Sequence, residues 1–229
     1  MPDSESATAS DGRSAAPGCF ILGAILTVFG GLVILYITIF FVQKKAIAGF
    51  TGDSPAEIKV LNPSEAQIKS LNDKLFAIKA ATSQSKTERI LLSADDLNTL
   101  IATAEILKDF RGTTFIQSIT DRGIETRMTQ PMRKIPLTPG QRHLNAKFIF
   151  QPELRKRTIA LRVIDIISDT GSIPEQFVKN YDTIGFFKID PENPNIKPII
   201  PKLSRVYVES GNVVIETGSP APDQSPLPK

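Results

Sequence analysis

An uncharged apolar run near the amino terminus constrains this chain more than any other feature. The run extends from Cys19 to Val42 without a charged side chain, and Lys44 and Lys45 follow it. A helix of that length rises roughly 36 Å at about 1.5 Å per residue, enough to cross a hydrocarbon core of about 30 Å with some tilt. The sequence therefore predicts a transmembrane helix over residues 19–43.

Three other interpretations of the run fit it less well. A cleaved signal peptide has an apolar region of about 7 to 15 residues, and two lysines separate the A-x-A pattern at Ala46 and Ala48 from the run. Cys19 precedes the apolar region instead of following it, which argues against lipidation. A buried core helix would carry a polar stripe, and this run has none.

Charge gives little guidance on orientation in the membrane, because Arg13 and the terminal amine roughly balance Lys44 and Lys45. The arm of residues 1–18 is rich in Ser, Ala and Asp, a composition typical of disorder. Such a short arm usually stays inside while a larger domain is exported. We therefore expect a single-pass protein of the plasma (inner) membrane, with a cytoplasmic amino terminus and an extracytoplasmic domain.

Composition predicts one domain after the anchor. The chain has a single cysteine, so an intramolecular disulfide is impossible. Its 27 Lys and Arg nearly balance 24 Asp and Glu, which argues against a nucleic-acid partner. We expect a juxtamembrane linker and amphipathic helix over 44–87, a domain over 88–217, and a disordered Pro-rich tail over 218–229.

Periodicity and capping residues predict the helices. Apolar residues from Ile68 to Ile78 recur at helical spacing and predict a helix over 64–81, with Asn62 or Ser64 as its cap. The strand-like segment 89–92 precedes Ser93, which forms a predicted capping box with Asp96. The following helix should bury Leu97, Leu100, Ile101 and Ala104, and we interpret Asn98 as structural. A third helix is expected after Pro174.

Alternation and turn residues predict the strands. They are expected at Thr114–Thr120, Ile124–Gln130, His143–Phe150, Thr158–Ile167, Arg205–Glu209 and Asn212–Thr217. Hairpins require antiparallel pairing, and the amphipathic helices must bury their apolar faces against the sheet. The predicted fold class is therefore α+β: one amino-terminal transmembrane helix followed by a curved antiparallel sheet packed with amphipathic helices.

Two segments resemble elements of a known group of proteins. The segment ILLSADDLNTLIA, with Leu92, Ser93, Leu97, Asn98 and Leu100, and the later SIPEQFV segment resemble YpmS-type single-pass bacterial membrane proteins. More distantly, the chain is similar to tubular lipid-binding and AsmA-like domains. The resemblance covers about residues 88–217. It implies a cradle-shaped domain that shelters acyl chains, and it assigns no binding residue.

The residues that common catalytic sites require are missing. His143 is the only histidine, so a histidine metal cluster is absent, and we expect it on the polar face of a strand. Asp95 and Asp96 are adjacent on a helix and point in different directions. Around Gly112 there is neither a glycine-rich loop nor a following Lys-Ser/Thr pair. We expect no enzymatic activity, no cofactor and no metal.

One region is strongly basic. Nine Lys and Arg residues lie between Arg122 and Arg157, against Glu125 and Glu153. Gathered at hairpin ends, they would contact anionic lipid headgroups at about 1 kcal/mol per residue, or an acidic partner. The alternative is a set of solvated strand faces and turns. The candidate contacts with an anionic surface are Arg122, Arg127, Arg133, Lys134, Arg155, Lys156 and Arg157.

Two hypotheses for function remain. In the first, the protein is a membrane-anchored, non-enzymatic binding module for lipid or another apolar ligand in the cell envelope. In the second, it is a structural or assembly protein of the envelope that docks on protein partners. An elongated apolar groove in the folded domain would favour the first, and a core filled with side chains would favour the second.

Overall fold

The computed structural model describes residues 16–132, 140–155, 158–184, 193–194 and 196–218. Within these ranges the helices are α1 (Ala16–Phe50), α2 (Glu65–Ser83), α3 (Ala94–Thr103) and α4 (Glu175–Ile184). The strands are β1 (Arg89–Leu92), β2 (Thr114–Thr120), β3 (Gly123–Pro131), β4 (His143–Arg155), β5 (Thr158–Ser168), β6 (Leu203–Glu209) and β7 (Asn212–Thr217). Short 3-10 helices occupy Glu105–Phe110 and Ile200–Lys202.

Helix α1 is long and apolar enough to span a membrane. Its segment Ile21–Phe50 reaches a mean hydropathy of 2.6, and none of the most apolar window is buried. Phe29, Ile34 and Tyr36 are 65%, 67% and 70% exposed. A signal sequence satisfies the same criteria of length and composition. The helix continues to Phe50, seven residues beyond the predicted end of the span.

The chain divides into two compact units, Met1–Ile47 and Ala48–Lys229. The last turn of α1 therefore belongs to the second unit. There the carbonyl oxygen of Phe50 accepts a hydrogen bond of 2.8 Å from the Ser168 hydroxyl. The Phe50 ring lies 4.9 Å from that of Phe177 in α4. The second unit contains both sheets.

Both predicted helix caps are present. Ser64 caps α2 in a capping box with Gln67. Of the two predicted candidates, Asn62 and Ser64, the cap is therefore Ser64. Ser93 caps α3 in a capping box with Asp96, as the sequence predicts. Each box satisfies backbone N–H groups that have no partner within the helix. These local signals set the start of two helices that flank the domain's first strand.

The strands form two antiparallel sheets. Sheet A has the order β2-β3-β4-β5, and sheet B has the order β1-β7-β6. The expectation of α+β architecture with antiparallel pairing is confirmed, whereas a curved sheet is not. Because β1 pairs with β7, the β6–β7 hairpin forms a separate sheet with β1. The hairpin does not extend sheet A. β6 lies in contact with β4 of sheet A.

A large part of the core lies on one face of sheet A. Phe148 pairs with Thr126 and Ile166, and Phe150 pairs with Ile124 and Val163, so the register places their side chains on the same face. These residues are almost fully buried. Tyr181 of α4 lies 6.1 Å from the Phe148 ring, and burial raises the pKa of its hydroxyl. Helix α4 therefore covers this face, as its apolar spacing predicts.

The structure corrects several details of the sequence-based assignment. The most buried residues of α3 are Asp96, Asn98 and Thr99, whereas the apolar residues expected inside are only half-buried. Strand β4 continues to Arg155, through a segment expected to be a link. The two faces of strand β5 are less covered than its apolar sequence predicts, because only Val163 and Ile166 of its residues are buried.

Replacement of Gly123 by Ala should strongly destabilise the domain. Gly123 opens β3 with φ of +139°, and an added Cβ would collide with the carbonyl oxygen of Phe150 in β4. We expect a loss of about 2 kcal/mol or more in the free energy of unfolding, measured by urea denaturation of the full chain in detergent. Gly211→Ala is the control, because Gly211 has φ of +76° but its nearest neighbour is 3.8 Å away. An equal loss in the two variants would contradict the collision.

Candidate functional site

An open groove lies between α2 and β1. Its volume is about 600 Å³. Seven residues line it: Asp73, Lys74, Ala77, Arg89, Ile90, Leu91 and Asn212. Their mixture of charged, polar and apolar groups differs from the continuous apolar lining that an acyl chain would need. The volume falls within the range of about 300 to 1,000 Å³ typical of ligand pockets.

Strand β1 forms one wall of this groove and, among the strands that the structure describes, lies at an edge of sheet B. The Thr217 N–H donates to the Glu88 carbonyl over 3.0 Å, which fixes the phase of the β1–β7 ladder. In an antiparallel pair the bonded residues alternate, so Ile90 and Leu92 direct their main-chain groups toward β7. Arg89 and Leu91 consequently direct their N–H and C=O groups away from the sheet. Leu91 is 43% exposed, consistent with an open edge.

Ion pairs occupy the two cations that border the groove, Lys74 and Arg89. The Lys74 ammonium lies 2.6 Å from an Asp96 carboxylate oxygen, and the Arg89 guanidinium pairs with Glu209. On the same face of sheet B, the Tyr207 hydroxyl donates to Glu216 over 2.7 Å, and this bond raises the pKa of Tyr207. These pairs reduce the net charge at the groove. Recognition there would depend on the main chain of β1 more than on charge.

A second, smaller cavity lies where the segment after α1 passes α3 and β2. Its volume is about 180 Å³. It is lined by Lys59, Val60, Leu61, Asn62, Pro63, Asn98, Ile101, Ala102, Arg111, Gly112, Thr114 and Phe115. Lys59 and Arg111 are the cations of this lining, and none of the described residues that line it is acidic. The cavity therefore combines apolar walls with positive charge.

The walls of this small cavity are fixed by hydrogen bonds. Asn98 donates to the Ile116 carbonyl and accepts from the Ile116 N–H, both over 2.8 Å, and so ties α3 to β2. Arg111 donates to the carbonyl oxygens of Ile101 and Ala104 at the end of α3, over 3.1 and 2.9 Å. The interpretation of Asn98 as structural is consistent with this geometry. The sequence alone does not identify Ile116 as the hydrogen-bond partner of Asn98.

The segment after α1 is tied to one end of sheet A. Gly52 and His143 exchange two main-chain hydrogen bonds of 2.8 Å. Asn145 accepts from the Ala56 N–H over 2.9 Å and donates to the Ser54 carbonyl over 3.0 Å. Farther along, the Lys59 ammonium lies 5.1 Å from the centre of the Phe115 ring. These contacts position the wall of the small cavity that carries Lys59.

His143 is less exposed than the sequence predicts. It is half-buried at the start of β4, and its Nδ1 atom has no hydrogen-bond partner among the described residues. A group of three or more His, Cys, Asp or Glu residues suited to hold a metal ion is not found in the described ranges. The expected absence of an enzymatic site remains a prediction.

The structure describes the side chains of two of the seven basic candidates. Arg122 lies 3.2 Å from Asp165, and Arg127 forms a two-bond pair with Asp169 that raises the pKa of the guanidinium. Each is therefore paired with a carboxylate of the same sheet or its flank. Arg133, Lys134, Lys156 and Arg157 lie outside the described residues. Arg155 ends β4, but its side chain is not described.

Sequence reasoning located β1 and α2 but missed the groove between them. Leu91 carried a signal, because it is an exposed apolar residue in a four-residue strand. The groove lies beside the unpaired edge of β1. Which edge is unpaired depends on the pairing of β1 with β7. Asp73, Lys74 and Ala77 belong to the polar face of α2 and show no distinguishing pattern.

Acid should weaken the domain through Asp96. Burial raises the pKa of this carboxyl, but hydrogen bonds from Lys74 and Ser93 outweigh burial and hold the pKa below its ordinary value. A group with a lowered pKa stabilises the fold above its unfolded pKa and loses that contribution as the pH falls through the folded value. Stability should therefore decrease below about pH 4.

The variant Asp96→Asn should be less stable than the native chain at pH 7 by about 1–2 kcal/mol and should show a smaller loss on acidification. Urea denaturation of the full chain in detergent, at pH 7 and pH 3.5, measures both effects. Asp95→Asn is the matched control, because Asp95 is exposed in the same helical turn. If both variants behaved alike, the role assigned to the buried carboxylate would be wrong.

Comparison with known proteins adds no assignment. The chain matches no family model, no curated protein and no solved structure.

Proposed function

We propose that this protein is a single-pass, membrane-anchored and non-enzymatic module that binds an extended segment of a protein partner. The free edge of β1 beside α2 carries this proposal. Helix α1 supplies the anchor, and its exposed apolar side chains support insertion into a bilayer. The proposed location is the plasma (inner) membrane, with the amino terminus in the cytoplasm and the domain outside.

An unpaired strand edge is a template for another strand. Arg89 and Leu91 each offer one main-chain donor and one acceptor toward the groove, and a peptide in extended conformation presents the complementary groups. Four residues of β1 span about 13 Å at roughly 3.3 Å per residue, so the added strand would pair over a short length. Helix α2 forms the opposite wall and would contact alternate side chains of the bound segment.

This mode agrees with the other properties of the groove. Its charged residues Lys74 and Arg89 already have carboxylate partners, so it has little net attraction for small ions. The groove is open to solvent, so it would not enclose an acyl chain. Main-chain pairing gives affinity to a range of sequences, which suits a protein that assembles with other envelope components.

The proposal predicts that binding depends on peptide backbone groups. Decapeptides selected from a random display library on the full chain in detergent should lose affinity when alternate residues are N-methylated, because those N–H groups face β1. N-methylation at the intervening positions should be tolerated. Fluorescence anisotropy measures both series. Peptides that tolerate N-methylation at every position, or a library that yields no binder, would overturn the proposal.

The variant Leu91→Pro should weaken peptide binding more than about tenfold, since it removes an edge donor and adds bulk there. The N–H of Leu91 faces away from β7, so the internal ladder is retained and the circular dichroism spectrum should not change. Leu91→Val keeps the N–H and is the matched control, with binding expected within about threefold.

A second candidate ligand is lipid, and the end of the β4–β5 hairpin favours it. Leu154, Ile159 and Leu161 share the face of Phe150 and Val163 but are only half-buried. Basic candidates Arg155, Lys156 and Arg157 follow in sequence and would meet anionic headgroups. Native mass spectrometry of gently extracted protein should then show a co-purifying lipid, and Leu161→Asp should reduce its occupancy. Lipid-free native protein would contradict this second candidate.

A further inference from the structure

We propose that the small cavity beside Lys59 binds a carboxylate attached to a short apolar body. This site is distinct from the groove at β1 and does not depend on the function proposed for that groove. The cavity volume of about 180 Å³ equals the space of roughly six liquid waters, so the ligand is smaller than a typical drug.

The positive charge of the cavity lining indicates that the ligand is negatively charged. Lys59 and Arg111 contribute the formal charges of the lining, and both are positive. Outside the lining, a carboxylate oxygen of Glu105 lies 3.9 Å from Arg111, and the Glu105 side chain is 77% exposed. Arg111 donates through Nε and Nη2 to the end of α3, which fixes its guanidinium at the cavity wall. An anion there would meet two cations and no lining carboxylate.

Thr114 provides the second, independent observation. It lines the cavity with only 8% of its surface exposed, and its hydroxyl has no hydrogen-bond partner in the part of the chain that the structure describes. A buried hydroxyl without a partner is costly, because it has lost its bonds to water. A carboxylate oxygen is an acceptor that this O–H group can satisfy. A ligand carboxylate bound in the cavity would thereby give the Thr114 hydroxyl an acceptor.

The remaining walls determine the body of the ligand. They are apolar at Val60, Leu61, Pro63, Ile101, Ala102 and Phe115. Asn98 contributes an amide, but both of its polar atoms are engaged with Ile116. An apolar group next to the carboxylate would fill this space, whereas a hydrated inorganic anion would leave it unfilled. Benzoate has the required size and charge.

The experiment titrates benzoate into the full chain in detergent micelles, with methyl groups of Ile, Leu and Val labelled for NMR. Signals of Val60, Leu61 and Ile101 should shift together and saturate. Benzyl alcohol has a similar shape without the charge and should bind several-fold more weakly. Lys59→Gln should weaken benzoate binding up to about fivefold. Lys69→Gln removes an exposed lysine outside the cavity lining and should leave the affinity unchanged.

Thr114→Val tests the hydroxyl separately. Valine has nearly the same shape, so this variant should weaken benzoate binding without lowering the melting temperature of the free protein, because the native hydroxyl has no bond to lose. Three outcomes would overturn the assignment: equal binding of benzoate and benzyl alcohol, unchanged benzoate affinity in Lys59→Gln, or a lowered melting temperature in Thr114→Val.

Discussion

Pairing between β1 and β7 is the interaction on which the domain's organisation depends. It joins a strand near the start of the domain to its last strand. Thr217 reinforces the join, because its hydroxyl accepts from the Glu88 N–H over 3.0 Å and donates to the Lys86 carbonyl over 2.7 Å. Nearby, the Lys202 ammonium donates to the Thr82 carbonyl in the last turn of α2. The same pairing that closes sheet B leaves the outer edge of β1 open.

Polar side chains inside the domain connect elements that are distant in sequence. Asn98 bridges α3 and β2, Asp96 joins α3 to Lys74 of α2, and Asn145 holds the segment that follows α1. Burying these groups is tolerable because each has hydrogen-bond partners. Their directional bonds also fix the relative positions of the elements more sharply than apolar contacts do. Both proposed ligand sites are bordered by elements held in this way.

Local features of the sequence predicted local structure well. Residues 89–92, the capping box of Ser93 and the turn at Gly123 all depend on groups a few positions apart, and each is present in the structure. The buried residues of helix α3 were harder to predict. Asp96 and Asn98 are buried because they bond to α2 and β2, and periodicity does not reveal those partners.

The division into two sheets and the positions of the two ligand sites could not be predicted from the sequence, because they depend on contacts between residues that are distant in sequence. Alternation shows that a segment is a strand, but it does not show which distant strand is its partner. The groove requires the β1–β7 register, and the cavity requires the contact of residues 59–63 with α3 and β2. The long apolar helix α1 differs, because the length and hydropathy of one segment are sufficient to predict such a helix.

Strand β5 also has an open side, since it ends the order of sheet A. Eleven residues of mostly apolar character at a sheet boundary would favour pairing between copies of the chain. Arg162 and Asp165 interrupt this stretch, and they are held by Gln151 and Arg122. Charged residues placed within an apolar strand oppose pairing between copies of a chain, and Arg162 and Asp165 occupy such positions in β5.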